Sequence, residues 1–225
     1  MTVSSKMVTA QNSERTLLKD RAYVEIKRNI QNGTFVPGRF LSERWLATWL
    51  GMSKTPVKAA LERLAQEDLV IISPQQGIAV RELSLKDVVD QFEMRRALET
   101  FVVGAIAGAL NVKQCAGIER NLVGQKSALH RRSLGKFVEL DTSFHLLLCD
   151  ALGNDAISQC LTQQRQKINR VISRVMDTDP GRLKEAISEH EALYRVLKAG
   201  RRELAVKMID QHLNVGKLLL LTSYQ

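Results

Sequence analysis

FVPGRFLSERWLATWLGMSKTPVKAALERLAQEDLVIISPQQGIAVR, residues 35–81, decides the fold. Pro37-Gly38 reads as a turn in which proline fixes one dihedral and glycine relieves another. Ser42 suits the N-cap of a helix over 43–50, whose buried face is Leu46, Ala47 and Leu50 and which Gly51 stops. Ser53 opens a second helix running to about Glu67. Pro56 lies in its first turn, where a missing N–H costs little, and Val57, Leu61 and Leu64 form its apolar stripe. Leu69–Ile72 and Ile78–Val80 have strand character, and residues 73–77 join them as a hairpin with Gly77 at its far end. Upstream, Leu18, Tyr23, Ile26 and Ile30 line one face of a helix over 15–31, and Gly33 supplies its stop. Three helices followed by a hairpin make a winged helix-turn-helix.

In the second helix of this motif Lys54 and Lys58 are one turn apart, with Thr55 beside them. They sit away from the stripe of Val57, Leu61 and Leu64. That face is either merely solvated or the surface a recognition helix offers to the DNA major groove, and spacing alone leaves both open.

After Arg81 the character changes. Ser84 can cap a new helix, and from there the periodicity is helical, over 85–109, 112–131, 134–152, 155–176, 181–199 and 201–222. The breaks fall at Asn111, Ser133, Gly153-Asn154, Asp179-Pro180-Gly181 and Gly200. Six helices with short links predict an antiparallel bundle. The expected class is therefore mainly α: a loose polar tail over 1–14, a winged helix-turn-helix over 15–81 and a helical domain over 82–225.

Bulk properties agree with two ordinary domains. The chain has 225 residues, 44% hydrophobic and 25% charged, with a net charge of +9. Residues 1–81 carry 12 Lys+Arg against 7 Asp+Glu, and the remainder 21 against 17, so the shorter segment is the more basic per residue. The apolar run 101–110 is too short to span a bilayer. Cys115, Cys149 and Cys160 are odd in number and far apart, which points to a reducing, cytoplasmic setting rather than a disulfide framework.

Four histidines stand in the helical part: His130, His145, His190 and His212. Asp141 and His145 are spaced i,i+4 and leave one helix in the same direction, while His190 and His212 belong to two later helices. One carboxylate and three imidazoles suit a borderline divalent ion such as Zn, Ni or Mn. Four independent core or boundary histidines are the alternative, and spacing does not decide between the two. A hydrolytic metal enzyme is disfavoured, since the chain has no HExxH, no G-x-S-x-G and no phosphate-binding loop.

The segment PGRFLSERWLATWLGMSKTPVKAALERLAQEDLV resembles the winged-helix domain of GntR-type bacterial transcription regulators. FEMRRALE at 92–99, ELDTSFHLLLCDALGN at 139–154, EH at 189–190 and MIDQHL at 208–213 resemble the FCD ligand-binding domain of the FadR branch, in its six-helix, VanR-like form. The resemblance implies a cytoplasmic, homodimeric, ligand-responsive regulator of transcription, not an enzyme and not bound to a membrane. It implies control of a double-stranded DNA operator by a small carboxylate effector, with repression relieved by the effector as the expected sign and activation as the alternative. DNA-contacting roles fall on Arg44, Lys54, Thr55, Lys58 and Gly77. Lysine stands at 54 and 58 where the family usually has arginine, so a rotating point charge replaces a fork that could take guanine bidentately, and phosphate becomes the natural partner. Asp141, His145, His190 and His212 match the family's metal ligands; His130 does not. Glu189 is open between a partner of a ligand and a surface charge. Arg95 matches an effector-facing arginine, its alternative being a surface ion pair with Glu99; Asn154 and Arg170 are further effector candidates.

Overall fold

The computed structural model describes the backbone of residues 3–74, 77–178 and 180–222, and the side chains of these except 3–16, 166–168, 170–171, 173–178 and 180. The chain divides into two compact units, Met1–Glu82 and Leu83–Gln225.

The first unit contains α1 (Val3–Gln31), β1 (Phe40–Leu41), α2 (Glu43–Leu50), α3 (Lys54–Gln66), β2 (Val70–Ser73) and β3 (Gly77–Val80). The strands form one antiparallel sheet in the order β1-β3-β2, with Leu41 opposite Ile78 and Val70 opposite Val80. Ile78 and Val80 alternate inward from the central strand and meet Ile26, Ile30, Leu46, Leu50, Leu61 and Leu64 in one core. As expected, Ser42 Oγ accepts the Trp45 N–H at 3.1 Å, and Gly51 ends α2 in the left-handed region. Two features differ from the reading of the sequence. Residues 3–14, expected as a loose tail, continue α1; the segment lacks an apolar stripe, but it also lacks any glycine or proline to break a helix. β1 is only two residues long, too short to leave a periodic signal. Gln75 and Gln76 of the hairpin loop lie outside the described residues.

The second unit contains α4 (Leu85–Ile106), α5 (Val112–His130), α6 (Leu134–Leu152), α7 (Asp155–Thr178), α8 (Pro180–Lys198) and α9 (Arg202–Thr222). Short links reverse the chain, giving an antiparallel bundle. Ser84 with Asp87 and Asn111 with Gln114 form capping boxes that start α4 and α5. Two links touch backbone to backbone: Gly108 donates its N–H to Leu197 O at 2.8 Å, and a Cβ on Gly108 would lie 3.2 Å from Gly200 Cα. Any side chain there would push the ends of α4 and α8 apart. Within the bundle α4 lies against α9 and α6, α5 against α6 and α8, and α6 against α7. α6 is thus central, and a polar group on its inner face can meet partners from several helices. No helix among the described residues is long and apolar enough to cross a membrane.

Candidate metal centre and DNA-facing helix

Asp141 and His145 leave α6 one turn apart on its buried side, beside Phe144 and Leu148. His190 comes from α8 and His212 from α9. One ligand atom from each of the four lies within 4.8 Å of every other. Asp141 Oδ1 is 3.6 Å from His190 Nε2 and 4.0 Å from His145 Nε2, and the Nε2 atoms of His190 and His212 are 3.4 Å apart. The Phe144 ring stacks on His190 with centroids 4.1 Å apart and fixes its plane.

Each imidazole is anchored through its other nitrogen. His145 Nδ1 bonds Glu99 Oε2. His212 Nδ1 donates to Glu189 Oε2 at 2.5 Å, and His190 Nδ1 to Gln125 Oε1 at 3.0 Å. The last contact is fixed in sense by a chain that ends on backbone. Asn121 Nδ2 donates to Leu140 O at 3.0 Å, so its Oδ1 accepts from Gln125 Nε2 at 2.7 Å, which leaves Gln125 Oε1 as an acceptor for His190. In the neutral ring the proton therefore sits on Nδ1 and the lone pair on Nε2. His145 Nε2 is buried with no hydrogen-bond partner. This is the arrangement of metal-ligating histidines: one nitrogen held by an acceptor, the other presented bare.

Burial keeps His145 and His190 neutral. Desolvation, then the Arg165 and Arg95 charges, hold the His145 pKa well below the usual imidazole range, and burial with the nearby His212 takes His190 down to about 3. Burial works to raise Asp141, but the Arg165 guanidinium and the surrounding imidazoles prevail and its carboxyl stays ionised. Burial likewise opposes ionisation of Glu189, yet Arg182 and His212 bring it to about 2.

Each carboxylate is also matched by an arginine. Arg95 Nε donates to Glu99 Oε1 at 2.8 Å. Arg165 donates to Asp141 Oδ2 at 3.0 Å and to its carbonyl at 3.2 Å. Arg182 grips Glu189 bidentately at 2.6 and 2.7 Å. Three guanidiniums face three carboxylates, so with neutral imidazoles the protein's own charges cancel at this centre. A pocket adjoins it, lined by Arg95, Asp141, Arg165, Arg182 and His212 together with apolar residues of α4, α7 and α9.

The structure thus brings Asp141, His145, His190 and His212 together and gives Glu189 the task of holding a ring. Arg95 is buried rather than on the surface; it makes the ion pair with Glu99 and lines the cavity as well. Asn154 is elsewhere: it is exposed, and its Oδ1 accepts the Ile157 N–H at 3.2 Å, as an asparagine between a glycine and a helix start does. The side chain of Arg170, on α7, lies outside the described residues. Sequence reasoning missed Glu99, Gln125, Arg165 and Arg182. A signal existed for the first two, since Glu99 interrupts the stripe of Phe92, Val102 and Val103, and Gln125 that of Ile118 and Leu122. A polar group on an apolar stripe needs a partner.

In the first unit Arg44, Lys54, Thr55, Lys58 and Gly77 are all exposed, and among the described residues neither Lys54, Lys58 nor Arg44 enters an ion pair. Val57, Leu61 and Leu64 turn the other side of α3 into the core. Ser53 occupies the N-cap position of α3, but its side chain makes no capping bond. The reason is Pro56 at the third helical position, which has no N–H for the hydroxyl to accept. The start of α3 therefore keeps its hydroxyl and its first N–H groups free, as an anion-binding helix N-terminus does.

Comparison with known proteins gives a consistent result. Residues 90–215 match the family described as "FCD domain" and residues 18–80 that described as "Bacterial regulatory proteins, gntR family". The "HTH-type transcriptional repressor RspR" of Escherichia coli K12 is 28% identical over 87% of this chain and 86% of its own length. An HTH-type transcriptional regulator of Agrobacterium vitis is 33% identical over 58% of this chain and 79% of its own. Among solved structures, E. coli McbR/YncC aligns with a TM-score of 0.79 at 22% identity, over 92% of this chain and 99% of that one, a likeness of fold.

Proposed function

The chain belongs to the GntR family of bacterial transcription regulators, with an FCD domain behind its winged helix, and from that membership we propose a metal-dependent repressor relieved by a small organic acid. The observation that carries this reading is the convergence of one ligand atom each from Asp141, His145, His190 and His212 within 4.8 Å of one another.

A divalent ion fits this donor set, and its chemistry there would be that of a Lewis acid able to accept an anion's oxygen. Charge supports the anion. Arg95, Arg165 and Arg182 balance Glu99, Asp141 and Glu189, so an added dication would stand uncompensated next to the arginines that line the cavity. A carboxylate entering the cavity restores the balance. Zn, Ni and Mn all suit imidazole and carboxylate ligands. A metal that merely stapled the helices would need no cavity opening onto Asp141 and His212, which favours a sensor over a staple.

The DNA side rests on α3. Lys54 and Lys58 are positioned for phosphate, Thr55 for a base edge, and the free N-terminus of α3 for a further phosphate. Arg44 on α2 and Gly77 at the hairpin complete the face. A homodimer would set two such faces on the half-sites of a pseudo-palindromic operator. The acid acts by binding one conformation of that dimer more tightly than the other, since only a difference in affinity moves DNA occupancy.

The test is a mobility shift of the promoter region of the protein's own gene. Metal-loaded protein should retard it specifically, and a panel of carboxylates should contain at least one that releases it. Absence of specific retardation with and without metal, or indifference to every acid, contradicts the reading.

A further inference from the structure

Both tryptophans of the chain, Trp45 and Trp49, stand one turn apart on the outer face of α2, and each is 42% exposed. Their rings stack with centroids 5.9 Å apart and planes 2° from parallel. Each also meets the buried Phe35 ring edge-on, at 5.8 and 5.5 Å, so the pair is held in place from below. Phe40, on the edge strand β1, is 68% exposed. Large rings gathered on one surface and left in water mark a contact.

Arg39 sets the chemistry of that contact. Its guanidinium lies over the Phe35 and Trp45 rings, 5.0 and 5.3 Å from their centroids, and its Nη1 donates to Thr34 O at 3.2 Å. Among the described residues it enters no ion pair. A half-buried arginine fixed over two rings, with no carboxylate to answer its charge, is preorganised for an anion, and phosphate suits its fork of donors. One pocket is lined by Arg39, Phe40, Leu41, Ser42, Trp45 and Gly77, a lining with one cation and no carboxylate. Leu41 pairs with Ile78, which brings the start of α2 beside the hairpin. The pocket therefore lies between Gly77, in its own lining, and Arg44, the residue before Trp45 on α2.

We propose that this pocket seats the DNA sugar–phosphate backbone beside the bases that α3 reads: Arg39 takes a phosphate, and Phe40 and Trp45 pack on deoxyribose. The proposal rests on the DNA-facing reading of α3, Arg44 and Gly77, and extends that face by three residues to which the family resemblance gives no role. A protein partner would have to bring a carboxylate for Arg39, whereas an operator held by Arg44 and Gly77 already carries phosphates there. Sugar and phosphate are the same in every sequence, so the contact adds affinity and fixes register without selecting bases.

The experiment titrates the full-length, zinc-loaded protein with the promoter fragment of its own gene, following tryptophan emission and the anisotropy of labelled DNA together. Both tryptophans lie in the patch, so their emission reads this face alone. Emission should change in step with anisotropy. Arg39→Gln should bind several-fold more weakly, with the slope of log affinity against log salt reduced by about one. Phe40→Ala, at an exposed position, should also bind several-fold more weakly but with the slope unchanged, because its contact releases no counterion. Emission that stays constant while anisotropy shows binding overturns the proposal and leaves the DNA reading of α3 standing. A wild-type slope in Arg39→Gln, or wild-type affinity in Phe40→Ala, overturns it as well. Emission that varies with protein concentration in the absence of DNA assigns the patch to a second copy of the chain and overturns it too. Failure of the wild type to bind the fragment takes down the DNA reading and this proposal with it.

Discussion

His190 and His212 point their Nε2 atoms at each other across 3.4 Å. The His190 proton is committed through Nδ1 to Gln125, and that of His212 through Nδ1 to Glu189. With both rings in the Nδ1–H form, two lone pairs oppose each other at that distance, and His145 Nε2 and Asp141 Oδ1 lie beside them. A shared cation would turn that repulsion into coordination.

This relationship predicts the behaviour of His212→Ala. Saturating metal should stabilise the wild-type bundle by about 2.7 kcal/mol at a hundredfold excess over Kd, a Tm rise of roughly 5–10 °C. In the variant that rise should vanish, while the chelator-treated protein unfolds near the chelated wild type, because one of two opposed lone pairs is gone. Thermal melts with and without chelator decide it; an undiminished metal-induced rise removes His212 from the ligand set.

The anchoring partners should matter nearly as much as the ligands. Gln125→Leu leaves the His190 Nδ1–H buried without an acceptor and frees the ring to change tautomer. Metal affinity should fall about 10–100-fold with the fold intact. A competitive titration against a chromophoric chelator measures this, and wild-type affinity in the variant would mean that Gln125 does not orient His190.

Acid should destabilise the metal-free helical unit well above the carboxylate range. The folded His145 and His190 have depressed pKa values, that of His190 at about 3, while the unfolded rings titrate near 6.5. The unfolded state then binds more protons below about pH 6.5, so stability falls as pH falls, by up to about 1.4 kcal/mol per unit for each ring. Asp141 has a depressed folded value too, so it adds a further loss as pH drops below about 4. Denaturant midpoints of chelated protein between pH 7.5 and 5 check the sign. A midpoint independent of pH over that range would mean that the two rings are not buried neutral.

Most of the architecture was legible in the residues. Gly33, Gly51, Ser84, Asn111 and Gly153-Asn154 mark helix ends by chemistry that acts locally, so the helices fall where caps and stops put them. The cluster of Asp141, His145, His190 and His212 was legible because an i,i+4 Asp–His pair and two late histidines resemble a known pattern. Of their anchors, only Glu189 was offered as a partner of a ligand. Glu99, Gln125, Arg165 and Arg182 take their roles from helices that meet only in three dimensions. Arg182 and Glu189 are seven apart on one helix, a spacing that bridges two turns only when both side chains lie along the same buried groove. Asn154 is exposed and outside this cluster, and its Oδ1 accepts the Ile157 N–H, a local capping role.

On the DNA side, Lys58→Ala should weaken operator binding by several-fold and reduce the slope of log affinity against log salt by about one. Metal binding should be unaffected. Affinity measured by fluorescence anisotropy from 50 to 200 mM salt tests this; an unchanged slope would take Lys58 off the phosphate backbone.

The central claim is that Asp141, His145, His190 and His212 together hold one divalent ion. Equilibrium dialysis of the full-length protein and of His145→Ala against zinc, followed by elemental analysis, tests it most directly. The account predicts about one tightly held ion per chain in the wild type and essentially none in the variant. Equal zinc in both proteins, or none retained by the wild type, would contradict it.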